Sequence, residues 1–216
     1  MNEATSTLRD PEATRDRLIR AGFQLFGAEG YAAVTTRRLA AQAGTNVAAI
    51  GYHFGGKSGL HEACAHALAS SISQVVGPPR DHGDVAPSEA RRRLETMLRD
   101  LAHFLTESRE AQDMVGFLLR EMAGSEATVD LLYGAFIGPK HRELCALWGA
   151  ATGQDPESEE VRLAVFAVLG QVVYFRIAQP FVLRRMDWDA IGPDEGLRIA
   201  DVLADHLQAA LDRGSR

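Results

Sequence analysis

The stretch TTRRLAAQAGTNVAAIGYHFGGKSGLHEA, residues 35–63, decides the fold because it places two short helices on either side of a tight turn. Thr35 or Thr36 can cap the first helix, and Gly44 ends it. The second helix is expected over residues 46–53, after a turn of about three or four residues, and two helices joined this closely form a helix-turn-helix unit.

Helical spacing of apolar residues continues along nearly the whole chain, whereas sustained period-two alternation, which would indicate strands, is not found. Before residue 35, two adjacent apolar rows lie on one helix: Leu18, Gly22 and Leu25, and Ile19, Phe23 and Phe26. Downstream, the breaker GPPRDHGD at 77–84 and Pro180 each end a helix, and 184–196 is expected to be a loop. The sequence therefore predicts an all-α fold of about nine helices.

The composition is that of a soluble globular protein, with 46% hydrophobic and 24% charged residues and a formal net charge of −6. The charge is distributed unevenly along the chain. Residues 1–60 contain seven basic and five acidic residues, which leaves sixteen basic and twenty-four acidic residues in 61–216. A polyanion such as nucleic acid is therefore expected to meet the first of these segments.

Signals for a membrane protein, a disulfide framework or an enzyme are weak. No run of about 18 apolar residues predicts a spanning helix, the first residues lack a secretory pattern, and the protein is expected in the cytoplasm. Cys64 and Cys145 are expected to be small buried hydrophobes. In HEACAH, residues 61–66, His61 and Cys64 share a helix face but His66 does not, so neither a metal nor a cofactor is expected. No G-x-S-x-G motif or nucleophile–base pairing indicates catalysis.

The sequence GYHFGGKS, residues 51–58, is a literal match to the phosphate-binding motif G-x-x-x-x-G-K-[ST]. That loop requires a strand before it and a helix after it, so that backbone N–H groups converge on the anion. A helix is expected before GYHFGGKS, which disfavours the alternative of a small helical nucleotide-dependent enzyme. Lys57 is instead expected to lie beside a phosphate of duplex DNA, where an ammonium acts as a point charge.

The order and spacing of LA, AG, YHF, GGK and L within residues 35–63 resemble those of the TetR/AcrR-type transcriptional regulators, and the resemblance extends over residues 14–68. Shorter segments, LLREM, IGP and LGQVVYFRIAQP, are similar to the CecR-like branch of that family. The resemblance implies a flexible N-terminal arm at 1–13, a helix-turn-helix DNA-binding domain at 14–56, and a ligand-binding and dimerisation domain at 57–216.

The resemblance also implies that the helix over 46–53 enters the major groove, which is wide enough for one α-helix. Val47, Ile50 and Phe54 are expected to face inward, and Gly51 stands where the family often has a DNA-contacting tyrosine. The candidate DNA-binding residues are Thr35, Thr36, Arg37, Arg38, Asn46, Ala48, Ala49, Tyr52, His53 and Lys57.

Several of these residues have alternative roles. Asn46 can cap its helix or contact a base. Tyr52 can reach a phosphate with its hydroxyl or pack beneath the first helix. His53 can satisfy a backbone group instead of contacting DNA. Of Arg37 and Arg38, one is expected to contact DNA and the other to be a solvated charge.

The helix expected over 157–179 is apolar on more than one side and therefore needs to be covered from two directions. A two-fold four-helix arrangement with the last helix, 197–211, would cover it and supply the dimer that adequate DNA affinity requires. The alternative is a core formed within one chain. The candidate dimer residues are Val165, Val168, Gly170, Val172, Val173, Leu203 and Leu207.

An apolar interior among the middle helices is where the resemblance implies a small-molecule inducer. Without the resemblance, aromatic and methionine residues at helical spacing are more typical of a plain core. Arg176 is expected to form a structural ion pair with Glu121, because a buried charge must be compensated. The candidate pocket residues are Phe104, Met114, Phe117, Glu121, Tyr133, Phe136 and Arg176.

These patterns together predict a homodimeric transcriptional regulator that binds a palindromic DNA operator. A repressor released by a small-molecule inducer is the hypothesis, and an activator is the alternative within the same family. The helical nucleotide-dependent enzyme is the alternative from another class.

Overall fold

The computed structural model describes residues 11–124 and 126–215, and within these ranges it contains eleven α-helices, one π-helical segment and no strand. The helices are α1 (Pro11–Glu29), α2 (Thr36–Gln42), α3 (Val47–Phe54), α4 (Lys57–Val76), α5 (Pro87–Glu107), α6 (Arg109–Gly124), α7 (Glu126–Leu132), α8 (Gly138–Thr152), α9 (Glu159–Ile177), α10 (Gln179–Met186) and α11 (Pro193–Gly214). The π-helical segment, Tyr133–Ile137, lies between α7 and α8. The all-α fold class is confirmed.

The structure corrects the predicted helix count at two places. The single helix expected over about 127–151 is interrupted by the π-helical segment. α9 ends at Ile177, just before Pro180, as predicted, but a new helix begins at once. Pro180 occupies one of the first two positions of α10, where a missing backbone N–H removes no helical hydrogen bond. The expected loop at 184–196 is consequently helical at both of its ends, in α10 and α11.

Most of the predicted N-terminal arm, residues 1–10, lies outside the described residues. The described part of that arm, residues 11–13, forms the first turn of α1. Pro11 at the start of this helix suits the same rule, since the first helical positions have no intrahelical acceptor for their N–H groups.

The chain divides into two compact units, which we call the head and the body. Among the described residues, the head contains 11–68, 113–124 and 126–129, and the body contains 69–112 and 130–215. The first three turns of α4 therefore belong with the helix-turn-helix unit, beyond the boundary at residue 56 that the resemblance implied.

The core of the head is built on α1, where both predicted apolar rows are buried. Phe23 packs against Phe117 of α6 with a ring-centroid distance of 5.5 Å and an edge-to-face geometry. A Cβ atom on Gly27 would lie 2.9 Å from the backbone nitrogen of Phe117, so the backbones of α1 and α6 are in direct contact. This contact holds the part of α6 from Asp113 onwards in the head.

In the body, α5, α8, α9 and α11 pack together around one apolar core. A buried charged cluster lies beside it, where the Lys140 ammonium donates to Glu143 Oε2 at 2.7 Å and to the carbonyl oxygen of Val76 at 3.0 Å. The Nε2 atom of His82 lies 2.6 Å from Glu143 Oε1. The charge of Lys140, which is only 5% exposed, is thus compensated inside the body.

No single helix in the described part of the chain is long and apolar enough to cross a membrane. Within the described ranges, only α9 and α10 taken together have the required length and composition, and the chain bends by 75° between them.

Candidate nucleic-acid interface

The helix-turn-helix unit is held by two side-chain caps. Thr35 is the N-cap of α2, and its hydroxyl oxygen accepts a hydrogen bond from the backbone N–H of Arg38 at 3.3 Å. Asn46 is the N-cap of α3, and its Oδ1 atom accepts from the backbone N–H of Ala49 at 3.0 Å. The Asn46 amide nitrogen, which is a hydrogen-bond donor, takes no part in this cap. Thr36 is the first residue of α2.

The outward face of α3 agrees with most of the sequence predictions. Tyr52 is 82% exposed, so the alternative in which it packs beneath α1 is wrong. Ala48 and Gly51 are also exposed, whereas Ala49 and His53 are half-buried. A Cβ atom on Gly51 would meet nothing within 4 Å, which leaves a gap on this face.

The inward face of α3 is narrower than predicted. Ile50 is buried and Phe54 is half-buried beneath the Arg15 guanidinium, whose central carbon lies 5.6 Å from the ring centroid. Val47, which was expected to face inward, is 44% exposed. It is the first residue of the helix, and the buried stripe begins one turn later at Ile50.

The two glycines of HFGGK form the connection between α3 and α4. Gly55 has a φ of 72° and caps α3 by donating to the carbonyl oxygen of Gly51 at 2.9 Å, and Gly56 has a φ of 144°. Both conformations favour glycine. Gly59 then lies so close to α3 that a Cβ atom there would overlap the carbonyl oxygen of Phe54. The motif therefore joins two helices, and the nucleotide-binding alternative lacks its preceding strand.

The cations around this unit are held in different ways. Arg37 and Arg38 are both exposed, and Arg38 forms an ion pair with Glu29. Lys57 is the first residue of α4, and its ammonium nitrogen lies 4.1 Å from the centroid of the Tyr31 ring. Lys57 as a whole is half-buried.

The residues of HEACAH do not converge on a metal. The Cys64 thiol lies 3.7 Å from the carbonyl oxygen of Ile19, and burial, together with the negative charge of Glu121, raises its pKa to about 12. The imidazole of His61 is bonded to Glu121, whereas His66 is exposed. No group of three or more potential ligands occurs among the described residues.

The candidate pocket residues fall into two groups. In the head, Met114, Phe117 and Glu121 are buried, and Glu121 Oε1 lies 2.9 Å from His61 Nε2. These three residues are part of the buried interior of the head, and their role in a ligand pocket stays a prediction.

In the body, Phe136 is buried, Phe104 is half-buried, and Tyr133 is 56% exposed, which corrects its expected interior position. Tyr133 begins the π-helical segment, and its ring lies over Gly138, where a Cβ atom would come within 3.0 Å of it. Arg176 donates from Nη1 to Gln179 Oε1 at 3.1 Å. Its pairing with Glu121 stays a prediction.

The candidate dimer residues are divided between the core and the surface of the body. Four of them lie in the core of one chain and are not available to a partner, which corrects their assignment: Val165, Val172, Leu203 and Leu207. Val168 and Val173 are half-buried and Gly170 is exposed. The reason is that α9 is apolar all round, so its pattern does not distinguish the inward face from the outward one.

The comparisons with known proteins agree with this geometry. Residues 18–64 match the model of the bacterial regulatory proteins of the tetR family, and residues 90–213 match the C-terminal domain of the HTH-type transcriptional dual regulator CecR. The chain is 30% identical to the HTH-type transcriptional dual regulator CecR of Shigella flexneri, over 98% of this chain and 96% of that protein. The chain belongs to the TetR family, in its CecR-like branch.

Solved structures of TetR-like proteins share the fold. AibR, in a complex with isovaleryl coenzyme A and operator DNA, has a TM-score of 0.65 at 17% identity and covers 89% of this chain and 97% of its own. A transcriptional regulator from Pseudomonas aeruginosa PAO1 has a TM-score of 0.64 at 18% identity, over the whole of both chains. This TetR-family chain is a DNA-binding transcriptional regulator, and the alternative of a nucleotide-dependent enzyme is not supported.

Sequence reasoning missed two features of this TetR-family chain. Tyr31, directly after the glycine that ends α1, supplies the ring beneath Lys57. The signal for it was present in the sequence EGY, but its partner is distant along the chain. The cluster of Lys140, Glu143 and His82 in the body was also missed, because its members lie on α8 and in the loop before α5, and only packing brings them together.

Proposed function

We propose that this TetR-family chain is a cytoplasmic, homodimeric repressor that binds a palindromic operator through α3 and releases it when a small molecule binds to the body. The observation that carries the proposal is the bare, exposed face of α3. Tyr52 projects from it beside Ala48 and the gap at Gly51, so the helix can approach base edges in the major groove closely.

The roles of the individual residues follow from their exposure and chemistry. Ala48 and Ala49 present methyl groups, which suit contact with a thymine methyl. The Tyr52 hydroxyl is placed to reach a phosphate or base edge across the space that Gly51 leaves. Both arginines of α2 are exposed, but Arg38 is paired with Glu29, so Arg37 is the one proposed to contact a guanine edge or a phosphate.

Phosphate contacts are proposed for the edges of the unit. Thr35 and Thr36 lie at the start of α2, where hydroxyl and backbone donors suit a phosphate oxygen. The Asn46 amide nitrogen and the His53 ring flank α3, and Lys57 supplies a point charge at the start of α4. These contacts would position α3 in the groove, while the exposed face of α3 would specify the sequence.

The dimer is proposed to form on the outward face of α9, where an apolar stripe with helical spacing is exposed on the body: Leu163, Phe166, Gly170, Tyr174 and Ile177. A hollow of about 270 Å³ runs beside it between α9 and α11, lined in part by Val168, Gln171 and His206. Side chains of a second copy could fill it. Val173 flanks the stripe and Val168 lines the hollow, so both stay in the proposed interface, unlike the four core residues.

The small-molecule step is proposed for the body. AibR, a structural neighbour, was solved with an acyl-coenzyme A and operator DNA together, which motivates a ligand for this chain without naming it. A thermal-shift screen of hydrophobic metabolites tests this step, because a ligand that binds the native state alone raises the melting temperature. Compounds that raise the melting temperature should also release the protein from DNA. If they leave DNA binding unchanged, the proposed inducer step is contradicted.

The DNA-binding proposal is tested with a duplex that the protein itself selects from a random library. Tyr52→Ala and Arg37→Ala should each weaken binding to that duplex by about tenfold or more, as expected for a residue that reads a base edge in each half-site. Arg80→Ala, an exposed arginine of the body, is the matched control and should bind normally. Unchanged binding by both head variants would contradict the assignment of α3.

The dimer is tested by sedimentation equilibrium at micromolar concentration. Tyr174→Asp places a charge in the outward stripe of α9 and should shift the protein towards monomer, with weaker operator binding. Met122→Asp changes an equally exposed apolar residue of the head and should leave the dimer intact. A wild-type protein that is strictly monomeric would contradict the proposed dimer.

A further inference from the structure

The structure assigns Tyr31 as a positioning residue for Lys57, so we propose that its ring holds the ammonium at the place where a DNA phosphate is bound. This inference rests on the proposed function, because it refines the role of Lys57 within it. Tyr31 lies in the turn between α1 and α2, directly after Gly30, whose φ of 81° is in the left-handed region.

The ring of Tyr31 packs against aromatic side chains in the core of the head. Its centroid lies 4.9 Å from that of His61 and 5.9 Å from that of Phe26. His61 is fixed in turn by Glu121 of α6, with 2.9 Å between Nε2 and Oε1, and by an edge-to-face contact with Phe117. The Tyr31 ring is thus immobilised through His61, even though 41% of the residue is exposed.

The same Tyr31 ring also contacts Lys57. An ammonium 4.1 Å from a ring centroid is attracted by the negative face of the ring. A free lysine stem samples many rotamers, and ordering it on binding reduces affinity. The ring restricts that freedom before DNA arrives. Because the ammonium has three N–H donors and the ring face occupies one side of it, donors remain for a phosphate oxygen.

A purely structural role for Tyr31 predicts a different pattern of mutational effects. Tyr31→Phe keeps the ring face, whereas Tyr31→Leu keeps apolar bulk and removes the face. If Tyr31 acts through Lys57, then Tyr31→Leu should weaken DNA binding only while Lys57 is present. If it acts through packing alone, the loss should be the same with or without Lys57.

The experiment measures operator binding by fluorescence anisotropy, over a range of salt concentrations, with a duplex selected by the wild-type protein. Lys57→Ala should weaken binding and lower the slope of log affinity against log salt by about 1.8, for one phosphate in each half-site. Tyr31→Leu should weaken binding on the order of tenfold per dimer. Tyr31→Phe should bind nearly as the wild type does, and Tyr31→Leu combined with Lys57→Ala should bind no more weakly than Lys57→Ala.

A second measurement keeps the inference testable without DNA. The chain has two lysines, Lys57 and Lys140, so a protein labelled with ¹³C-lysine gives two side-chain Cε–Hε correlations. The correlation of Lys57, assigned by its loss in Lys57→Ala, should be shifted upfield by the ring. The shift should persist in Tyr31→Phe and disappear in Tyr31→Leu, while Lys140 reports that the body is folded.

The outcomes separate this inference from the proposed function. If Lys57→Ala weakens binding and Tyr31→Leu does not, the positioning role is wrong and the DNA contact stands. Equal losses from Tyr31→Leu in the presence and absence of Lys57 would likewise assign Tyr31 to packing. If Lys57→Ala binds as the wild type does, both the positioning role and the contact of Lys57 fail. An unshifted Lys57 correlation in the wild type overturns the positioning role whatever the binding data.

Discussion

Lys57 in the head and Lys140 in the body are the two lysines of the chain, and they are held in opposite ways. Lys140 is 5% exposed and donates to a carboxylate and a backbone carbonyl. The Lys57 ammonium instead lies over one aromatic ring, 4.1 Å from its centroid. A cation whose donors are used inside the fold stabilises that fold, whereas a cation held from one side can still bind a partner.

The same contrast extends to the surroundings of the two lysines. Glu143 accepts from Lys140 and is bonded to His82, whose other ring nitrogen lies 2.7 Å from Arg93 Nη1. This cluster joins α8 to α5 and to the loop before α5. In the head, polar side chains such as Thr35 and Asn46 are used for caps at the surface instead. The charge of Lys140 is thus used inside the fold, whereas the charge of Lys57 is proposed to bind DNA.

The largest expected effect is on the stability that the cluster of Lys140, Glu143 and His82 gives to the body. Glu143→Ala leaves the Lys140 ammonium buried without its carboxylate, which should lower the free energy of unfolding by about 3–5 kcal/mol. Chemical denaturation measures this loss. Asp201→Ala removes an exposed ion pair with Arg99 and is the matched control, with an expected loss below about 1 kcal/mol. Equal and small losses in the two variants would show that the Lys140 charge is not closed off from water.

The next effect concerns the close approach of α4 to α3 in the head. Gly59→Ala would place a Cβ atom on the carbonyl oxygen of Phe54, so the helices must move apart, at a cost of about 1–3 kcal/mol. Gly51→Ala is the control, since its Cβ atom meets open space and a better helix former should stabilise α3 by about 0.5–1 kcal/mol. Thermal unfolding is measured on both variants. A Gly51→Ala variant that is less stable than the wild type would contradict the open space around that position.

The smallest effect separates capping from DNA contact at Asn46. Asn46→Ala removes the cap of α3 and should cost about 1 kcal/mol of stability. Asn46→Asp retains an oxygen that can accept from Ala49, so its stability should stay within about 0.5 kcal/mol of the wild type, while its charge should repel DNA. Urea titration and operator binding are measured on both variants. An aspartate variant with normal operator affinity would place Asn46 away from the phosphates.

Some of this molecule could be predicted from sequence because its determinants are local. The caps at Thr35 and Asn46 and the glycines at 55 and 56 set the limits of α2 and α3 within a few neighbouring residues, and the structure places the limits there. The assignment of α9 failed for the opposite reason. Val165 and Phe166 are both apolar, and only the packing of α5, α8 and α11 against α9 decides that the first is buried and the second exposed.

The contacts of the candidate interface were harder to predict than its limits. Exposure of Tyr52 follows from the pattern of α3, because Ile50 and Phe54 occupy the inward side. The contact between Tyr31 and Lys57 does not follow from any pattern, because it requires α1 and α4 to bring two distant residues to one point. Pairings of that kind are a property of the packed head.

The burial of Lys140 has a practical consequence for labelling chemistry. Acylating reagents attack free amines, and a lysine enclosed by Glu143 and Val76 is shielded from them in the native fold. Lys57 is then the lysine side chain that such a reagent reaches, and it lies on the surface proposed to face DNA. The extent of Lys57 acylation, read by mass spectrometry with Lys140 as an internal reference, would serve as a footprint of operator occupancy.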